Sequence, residues 1–334
     1  MTRRYLTAII LSLLLSTYSL NAEPSFKVVV LGCYGGPKDT NISGYLVAPL
    51  EANEFIALDA GSLLQGIEVA CAKNSFQEIK TNLDSELNFE VEILQNHIKG
   101  YLISHAHLEH VAGLVICSNF DTKKPIFGID STIDFLRDHL FNWKIWPNFG
   151  SEGKRPLNQY QYTRLQIGEK ISLPAADMTV EPYVLSHHGS YECTAFIIES
   201  AGSYLVYFGD TSPDALEAEK NIEKVWRRIA PLIRDSKLTG IFLECSYPDT
   251  MPDSDLYGHL KPKYMMEELQ KLAYLVDPLS PETALQKVKV VVTHIKDSMT
   301  KGVYSKQVIE QDLKKLNQLN VEFIFPEQGQ KIEL

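Results

Sequence analysis

Short apolar blocks separated by polar turns recur along the chain and predict an α/β protein. The first block is FKVVVL (26–31), which is typical of a buried strand and runs into a glycine-rich turn at 32–37. Further strands are predicted at 44–47, 55–58, 101–103, 180–185, 194–198, 204–208, 241–243, 288–292 and 321–324. Apolar residues at helical spacing predict helices at 77–97, 213–234, 262–272 and 305–316. Interleaved strands and helices predict sheets that are buried on both sides.

Residues 119–164 depart from this pattern, because they are irregular and rich in aromatic side chains. We expect such a segment to lie over a functional site rather than in the core. Phe141, Trp143, Trp146 and Phe149 all fall within it. Packing of each ring onto the core is the alternative interpretation.

The first 22 residues have the features of an export signal. Arg3 and Arg4 precede an apolar run at 6–15, and Ala22 offers a small residue for cleavage. The alternative, an uncleaved membrane anchor, is disfavoured because the run is short for a hydrocarbon core about 30 Å thick. We therefore expect a signal peptide at 1–22, a single catalytic domain at 23–334, a periplasmic location and no stable membrane anchor.

Composition narrows the class of protein. The chain has 334 residues, of which 45% are hydrophobic, so it can bury a substantial core. Its 42 acidic residues outnumber 32 lysines and arginines, which argues against a nucleic acid polymer as partner. Five cysteines are too few for a miniprotein that is stabilised mainly by disulfides. At most two disulfide bridges could form, and the alternative is that the cysteines are buried thiols.

A cluster of imidazoles follows the predicted strand at 101–103. His105, His107, Glu109 and His110 fall within six positions, just before a helical run at 111–117. Histidine nitrogens and carboxylate oxygens are typical ligands of divalent metals, and this spacing suits two ions that share one loop. A solvated polar turn is the alternative, but it would not need three imidazoles so close together.

The wider motif resembles a known family. His105-Ala-His107-Leu-Glu109-His110, followed by Gly113 and Ser118, is similar to the signature of exported class II 3′,5′-cyclic-nucleotide phosphodiesterases of the metallo-β-lactamase superfamily. Two positions depart from it, with Glu109 in place of Asp and Asn119 after the serine. The resemblance extends to the glycine-rich turn, Asn41-x-Ser43-x-Tyr45, Asp59-x-Gly61, the 139–142 stretch HLFN, and Trp146-Pro147.

The resemblance implies a fold and a ligand set. The fold is an αββα four-layer sandwich of two mixed sheets flanked by helices. One ion would be held by His105, His107 and His187, a second by Glu109, His110 and His294, with Asp210 between them. Asp59 would orient the histidine loop by hydrogen bonds. His188 is a rival of His187, or its supporting neighbour.

The nature of the ions follows from the ligands. Nitrogen and oxygen donors without thiolate favour zinc, with manganese and iron still open. Because a glutamate reaches further than an aspartate, Glu109 implies a second metal site that is rebuilt or binds its ion less tightly.

The reaction implied by the resemblance is hydrolysis of cAMP or cGMP to the nucleoside 5′-monophosphate by a hydroxide that two metal ions share. Glu109 would belong to the catalytic centre as well as to the ligand set. His259, backed by Glu244, would protonate the leaving oxygen, the alternative being a polar loop histidine. Phe141, Trp143 and Trp146 could stack on the purine.

Two other classes compete with this interpretation. One is another hydrolase on the same scaffold, of lactonase or β-lactamase type, which would not be expected to carry the Gly258-His259-Leu260 loop. The other is a catalytically inactive zinc-binding periplasmic protein, for which Glu109 is the support. The sequence leaves open whether the protein is a monomer or a homodimer.

Overall fold

Two seven-stranded sheets form the centre of this computed structural model, which describes residues 25–80 and 84–334. The predicted signal peptide at 1–22 lies outside the described residues. The strands are β1 (Phe26–Gly32), β2 (Gly44–Pro49), β3 (Phe55–Leu58), β4 (Ile98–Leu102), β5 (Lys124–Gly128), β6 (Tyr160–Arg164), β7 (Ile171–Ser172), β8 (Thr179–His187), β9 (Tyr191–Ser200), β10 (Ser203–Phe208), β11 (Leu238–Glu244), β12 (Lys289–Thr293), β13 (Glu322–Ile324) and β14 (Lys331–Glu333).

Both sheets are mixed. The first has the order β14-β1-β2-β3-β4-β5-β6, antiparallel from β14 to β3 and parallel from β3 to β6. The second has the order β13-β12-β11-β10-β9-β8-β7, parallel from β13 to β10 and antiparallel beyond. Parallel strands end at the same edge, so the loops after β10, β11 and β12 lie side by side.

Helices cover the outer face of each sheet. They are α1 (Leu64–Ala72), α2 (Phe89–Glu92), α3 (Leu108–Cys117), α4 (Asp130–Phe135), α5 (Asn221–Arg234), α6 (Pro262–Val276) and α7 (Ser305–Leu316). In the described ranges, none of the helices has both the length and the apolar character needed to span a membrane.

Three apolar clusters separate the four layers. One lies between the sheets, where the rings of Tyr45 and Phe242 meet edge to face with centroids 5.3 Å apart. The second packs α1 and α3 onto the first sheet, and the third packs α5, α6 and α7 onto the second sheet. The predicted αββα sandwich of two mixed sheets is therefore confirmed.

Two helix predictions were wrong in their bounds. In the predicted helix 77–97, α2 begins only after Asn88, whose backbone is extended, and continues into a π-helical turn at Ile93–His97. Before it, the Ser85 hydroxyl accepts from the backbone N–H of Leu87, a local bond that competes with helix formation. The predicted helix 213–234 begins at residue 221, because the Asp214 carboxylate accepts from the backbone N–H of Ile222 and Glu223.

The segment 119–164 was wrongly expected to be irregular. It contains β5, α4 and β6, and Tyr160 and Phe141 are fully buried in the outer core of the first sheet. Tyr160 and Tyr162 are buried while Gln161 between them is exposed, which is the alternation of a strand with one covered face.

Candidate active site

The predicted metal ligands lie where strand ends of the two sheets meet. The first sheet supplies the histidine loop after β4, and α3 begins inside that loop at Leu108. The second sheet supplies His187 at the end of β8, Asp210 after β10 and His294 after β12. The site therefore depends on both sheets and on their mutual position.

Four ligand atoms form a first group, from His105, His107, His187 and Asp210, and all lie within 4.8 Å of one another. His187 belongs to this group, and its neighbour His188 does not. The Nδ1 of His187 donates to the carbonyl of Gly258 at 2.9 Å, which leaves Nε2 free to bind a metal.

Four more atoms form a second group, from Glu109, His110, His294 and again Asp210, also within 4.8 Å. Asp210 Oδ2 lies 3.2 Å from the Nε2 of His294 and 3.4 Å from that of His110. The same oxygen lies 3.7 Å from the Nε2 of His105 in the first group. One buried carboxylate oxygen is thus common to both groups.

The arrangement of these atoms fits divalent cations. Among the described residues, His105 Nε2 and Asp210 Oδ2 are buried without a hydrogen-bond partner, which is costly unless another group satisfies them. The Nε2 atoms of His110 and His294 lie 3.0 Å apart. Their Nδ1 atoms contact Asp59 and Ser246, so in the neutral imidazoles both Nε2 atoms present lone pairs, and a cation between them would remove the repulsion.

Asp59 accepts hydrogen bonds from the histidine loop, as the resemblance implied. Its Oδ1 accepts from the backbone N–H of Ser104 at 2.7 Å. Its Oδ2 accepts from the Ser104 hydroxyl, from His110 Nδ1 at 2.7 Å and from the Tyr207 hydroxyl at 2.7 Å. These bonds fix the tautomer of His110 and the path of the loop.

The electrostatics of His105, His107 and Asp210 favour the protonation states of metal ligands. Burial lowers the pKa of His105 well below its usual value and that of His107 to about 4, so both imidazoles are neutral. Burial would raise the pKa of Asp210, but His294, His110 and His259 hold it well below its usual value. The carboxylate is therefore ionised and available to bridge.

Glu109 lies in the second group despite its departure from the family pattern. Its Oε1 is 3.6 Å from Lys296 Nζ, and that ammonium also donates to the carbonyl of Gly35 at 2.7 Å. Burial opposes ionisation of Glu109, but His110 and Lys296 lower its pKa below the usual value. Glu109 is thus an ionised carboxylate with a cationic neighbour.

A third group joins Glu244, His259 and His294. The Nδ1 of His259 lies 2.9 Å from Glu244 Oε1, and the Ser246 hydroxyl donates to Glu244 Oε2 at 2.6 Å. Burial would lower the pKa of His259, yet Glu244 and Asp210 raise it above its usual value. His259 is therefore an imidazole that lies beside the second ligand group and is hydrogen-bonded to a carboxylate. A carboxylate partner of this kind suits a proton donor.

None of the remaining predicted residues contributes an atom to the ligand groups. His188 is exposed, with its ring 6.2 Å from that of Tyr257, so the expected support of His187 comes from Gly258 instead. Trp143 Nε1 donates to the carbonyl of Lys154. Trp146 Nε1 donates to Ser118 Oγ, and Phe141 is fully buried.

Sequence reasoning missed several supporting residues. Tyr191 packs against three ligands, and its ring centroid lies 4.7 Å from that of His107. Gly35 must be a glycine, because a Cβ there would lie 2.4 Å from the His294 ring. The position of Gly35 in the glycine-rich turn after the first strand could have indicated such a close approach. A single tyrosine such as Tyr191 has no comparable sequence pattern.

Comparison with known proteins agrees with this geometry. A family model for class-II cAMP phosphodiesterases matches residues 26–329. A 3′,5′-cyclic-nucleotide phosphodiesterase of Aliivibrio fischeri is 38% identical over 321 residues, covering 96% of each chain. The crystal structure of unliganded yeast PDE1 has a TM-score of 0.78 at 25% identity, covering 93% of this chain and 100% of that one.

The metallo-β-lactamase fold protein YhfI from Bacillus subtilis has a TM-score of 0.59 at 17% identity, covering 93% of this chain and 99% of that one, and shares the fold. The family match and the bacterial relative each extend over nearly the whole described part of the chain. The chain therefore belongs to the class-II cAMP phosphodiesterase family.

Proposed function

We propose that the protein hydrolyses 3′,5′-cyclic nucleotides, cAMP or cGMP, to nucleoside 5′-monophosphates. The observation that carries this proposal is Asp210, whose single buried oxygen is common to two ligand groups beside the Glu244–His259 pair. Membership of the family supplies the substrate class.

The ions are proposed to be zinc, because the two groups offer imidazole nitrogens and carboxylate oxygens without thiolate. His105, His107 and His187 would hold one ion, Glu109, His110 and His294 the other, and Asp210 would contact both. Bound divalent ions supply Lewis-acid chemistry, since they lower the pKa of water and offset the charge of a phosphodiester.

The chain's own contribution to bond cleavage is a proton. Hydrolysis adds water across the bond between phosphorus and O3′, so the departing O3′ must be protonated. Glu244 holds His259 through Nδ1, which leaves Nε2 as the ring nitrogen that can donate. Ser246 orients the Glu244 carboxylate in turn, so the donor cannot rotate freely.

Phosphorus NMR of the purified protein with cAMP tests the function, because it reports both turnover and the ester bond that breaks. We expect a 5′-monophosphate as product, close to two zinc ions per chain by elemental analysis, and loss of turnover on chelation that zinc restores. A 3′-monophosphate product, or an active sample without transition metal, would contradict the proposal.

The proton donor has its own test. His259→Ala should retain both metal ions and lose roughly 10²–10⁴-fold in turnover of cAMP. A nitrophenyl phosphodiester should be largely spared, because its leaving group needs little protonation. Loss of metal from this variant would instead make His259 a ligand, and equal losses on both substrates would indicate phosphate binding.

We also propose that the protein is exported to the periplasm, on the basis of the basic start, apolar run and small residue at 1–22. N-terminal sequencing of protein from the periplasmic fraction should begin at Glu23. A chain retained in the cytoplasm with its first 22 residues intact would refute export.

A further inference from the structure

Two exposed rings flank the site, and neither belongs to the ligand groups. Tyr257 is 59% exposed and precedes Gly258-His259, while His188 is exposed and follows the ligand His187. Their ring centroids lie 6.2 Å apart with planes inclined at 55°. They therefore stand together on the solvent side of the two loops that carry His187 and His259.

Both residues have a strained backbone. Tyr257 has φ of 49° and His188 has φ of 44°, in the left-handed region that side chains with a Cβ rarely adopt. Such conformations concentrate at binding and catalytic sites, where the surrounding structure enforces them. Two of them in adjacent loops, each beside a site residue, indicate that the backbone carrying each ring is held in place by its surroundings.

The two loops are locked to each other. His187 Nδ1 donates to the Gly258 carbonyl, and a Cβ at Gly258 would lie 2.3 Å from the backbone nitrogen of His188. On either side of Tyr257, Leu256 and Leu260 are buried in the core. Tyr257 thus projects from an anchored turn, which is the rigidity that a stacking surface needs.

We propose that Tyr257 and His188 form the subsite for the nucleobase of the substrate, with Tyr257 offering a ring face for stacking and His188 a hydrogen-bonding edge. This inference rests on the proposed function, since it concerns the same substrate. A cyclic nucleotide holds its base one sugar away from the phosphate, so a base subsite must adjoin the residues that act on phosphorus. Tyr257 and His188 satisfy this requirement through their neighbours His259 and His187.

The substitution Tyr257→Asn tests the subsite, because asparagine tolerates a left-handed backbone and removes the ring without adding strain. The substrates are cAMP and 1-O-methylribose 3′,5′-cyclic phosphate, which has the same scissile bond and no base. We expect kcat/KM for cAMP to fall about 5- to 150-fold, mainly through KM. The base-free diester should be turned over as by the wild type.

Two control variants accompany Tyr257→Asn. Tyr257→Phe keeps the ring and should retain most of the cAMP activity, and Tyr274→Ala removes a comparably exposed tyrosine from the outer face of α6 and should change nothing. Unchanged kcat/KM for cAMP in Tyr257→Asn would overturn the inference. Equal losses on both substrates would also overturn it, because they would show that Tyr257 only positions His259.

An equilibrium measurement separates this inference from the proposed function. If the wild type does not turn over cAMP, the proposed function fails, and binding of 5′-AMP against ribose 5-phosphate still tests the subsite. Tyr257→Asn should bind 5′-AMP about 5- to 150-fold more weakly and ribose 5-phosphate equally well. Equal affinity of the wild type for the two ligands would exclude a base subsite.

Discussion

Replacing Asp59 by asparagine should weaken the second metal group without touching a ligand. Asp59 Oδ2 accepts from the hydroxyls of Ser104 and Tyr207 and from His110 Nδ1. If the amide nitrogen of asparagine took the position of Oδ2, it would face these three hydrogen-bond donors. The hydroxyls can rotate to accept, but His110 can accept at Nδ1 only if its proton moves to Nε2, the atom that binds metal.

The opposite amide orientation is no better. It keeps an oxygen towards His110 but sets the amide nitrogen against the backbone N–H of Ser104, which then has no acceptor. In this orientation the unpaired buried donor costs about 1–3 kcal/mol in the free energy of unfolding of the metal-free protein. Residues that orient a metal ligand typically change metal affinity by about 10- to 100-fold.

Competition with a chelating dye would measure both ions separately, and urea unfolding of the metal-free protein would give the stability. We expect one ion to bind about 10- to 100-fold more weakly and the other, held partly by His107 and His187, to remain. Tyr207→Phe is the matched control, since it removes one donor and leaves the bond of Asp59 to His110. Unchanged affinity for both ions in Asp59→Asn would refute this account of the histidine loop.

Three further predictions follow from the geometry. His187→Ala should lose metal and activity whereas His188→Ala should keep both ions, as elemental analysis would show, and the reverse result would move the ligand role to His188. Gly35→Ala should displace the His294 ring, because its Cβ would lie 2.4 Å away, and so weaken one ion in a dye competition; full affinity would mean that the turn can shift. Phe141→Ala should cost about 3–5 kcal/mol in urea unfolding with KM for cAMP unchanged, and a raised KM at full stability would restore its predicted role at the base.

The parts of this site that are close together along the chain could be predicted from the sequence. Three imidazoles within six residues after a strand reveal a metal loop without knowledge of tertiary structure. Asp210 and His294 are isolated residues, and only the resemblance to the family and their order along the chain distinguished them. His187 and His188 could not be separated, because the choice depends on where β8 ends and the chain turns into a left-handed conformation at residue 188.

Other features were hidden because they depend on distant neighbours. Ser246 bridges Glu244 and His294, and nothing in the local sequence distinguishes it from a surface serine. Helix α1 was not predicted. Its Gly66 lets the helix approach the backbone of Leu31, where a Cβ would lie 2.4 Å from the carbonyl oxygen. These contacts exist only once the sheets have packed.

The predicted metal ligands come from both sheets, so the apolar core between the sheets also sets the distance between them. Since the histidine loop follows β4 and Asp210 follows β10, their separation is set by the thickness of apolar packing between the sheets. The edge-to-face contact of Tyr45 with Phe242 is part of that packing. Changing the volume of such a ring should alter the distance between the histidine loop and Asp210 within each ligand group, so metal affinity can be tuned by substitutions that no substrate ever contacts.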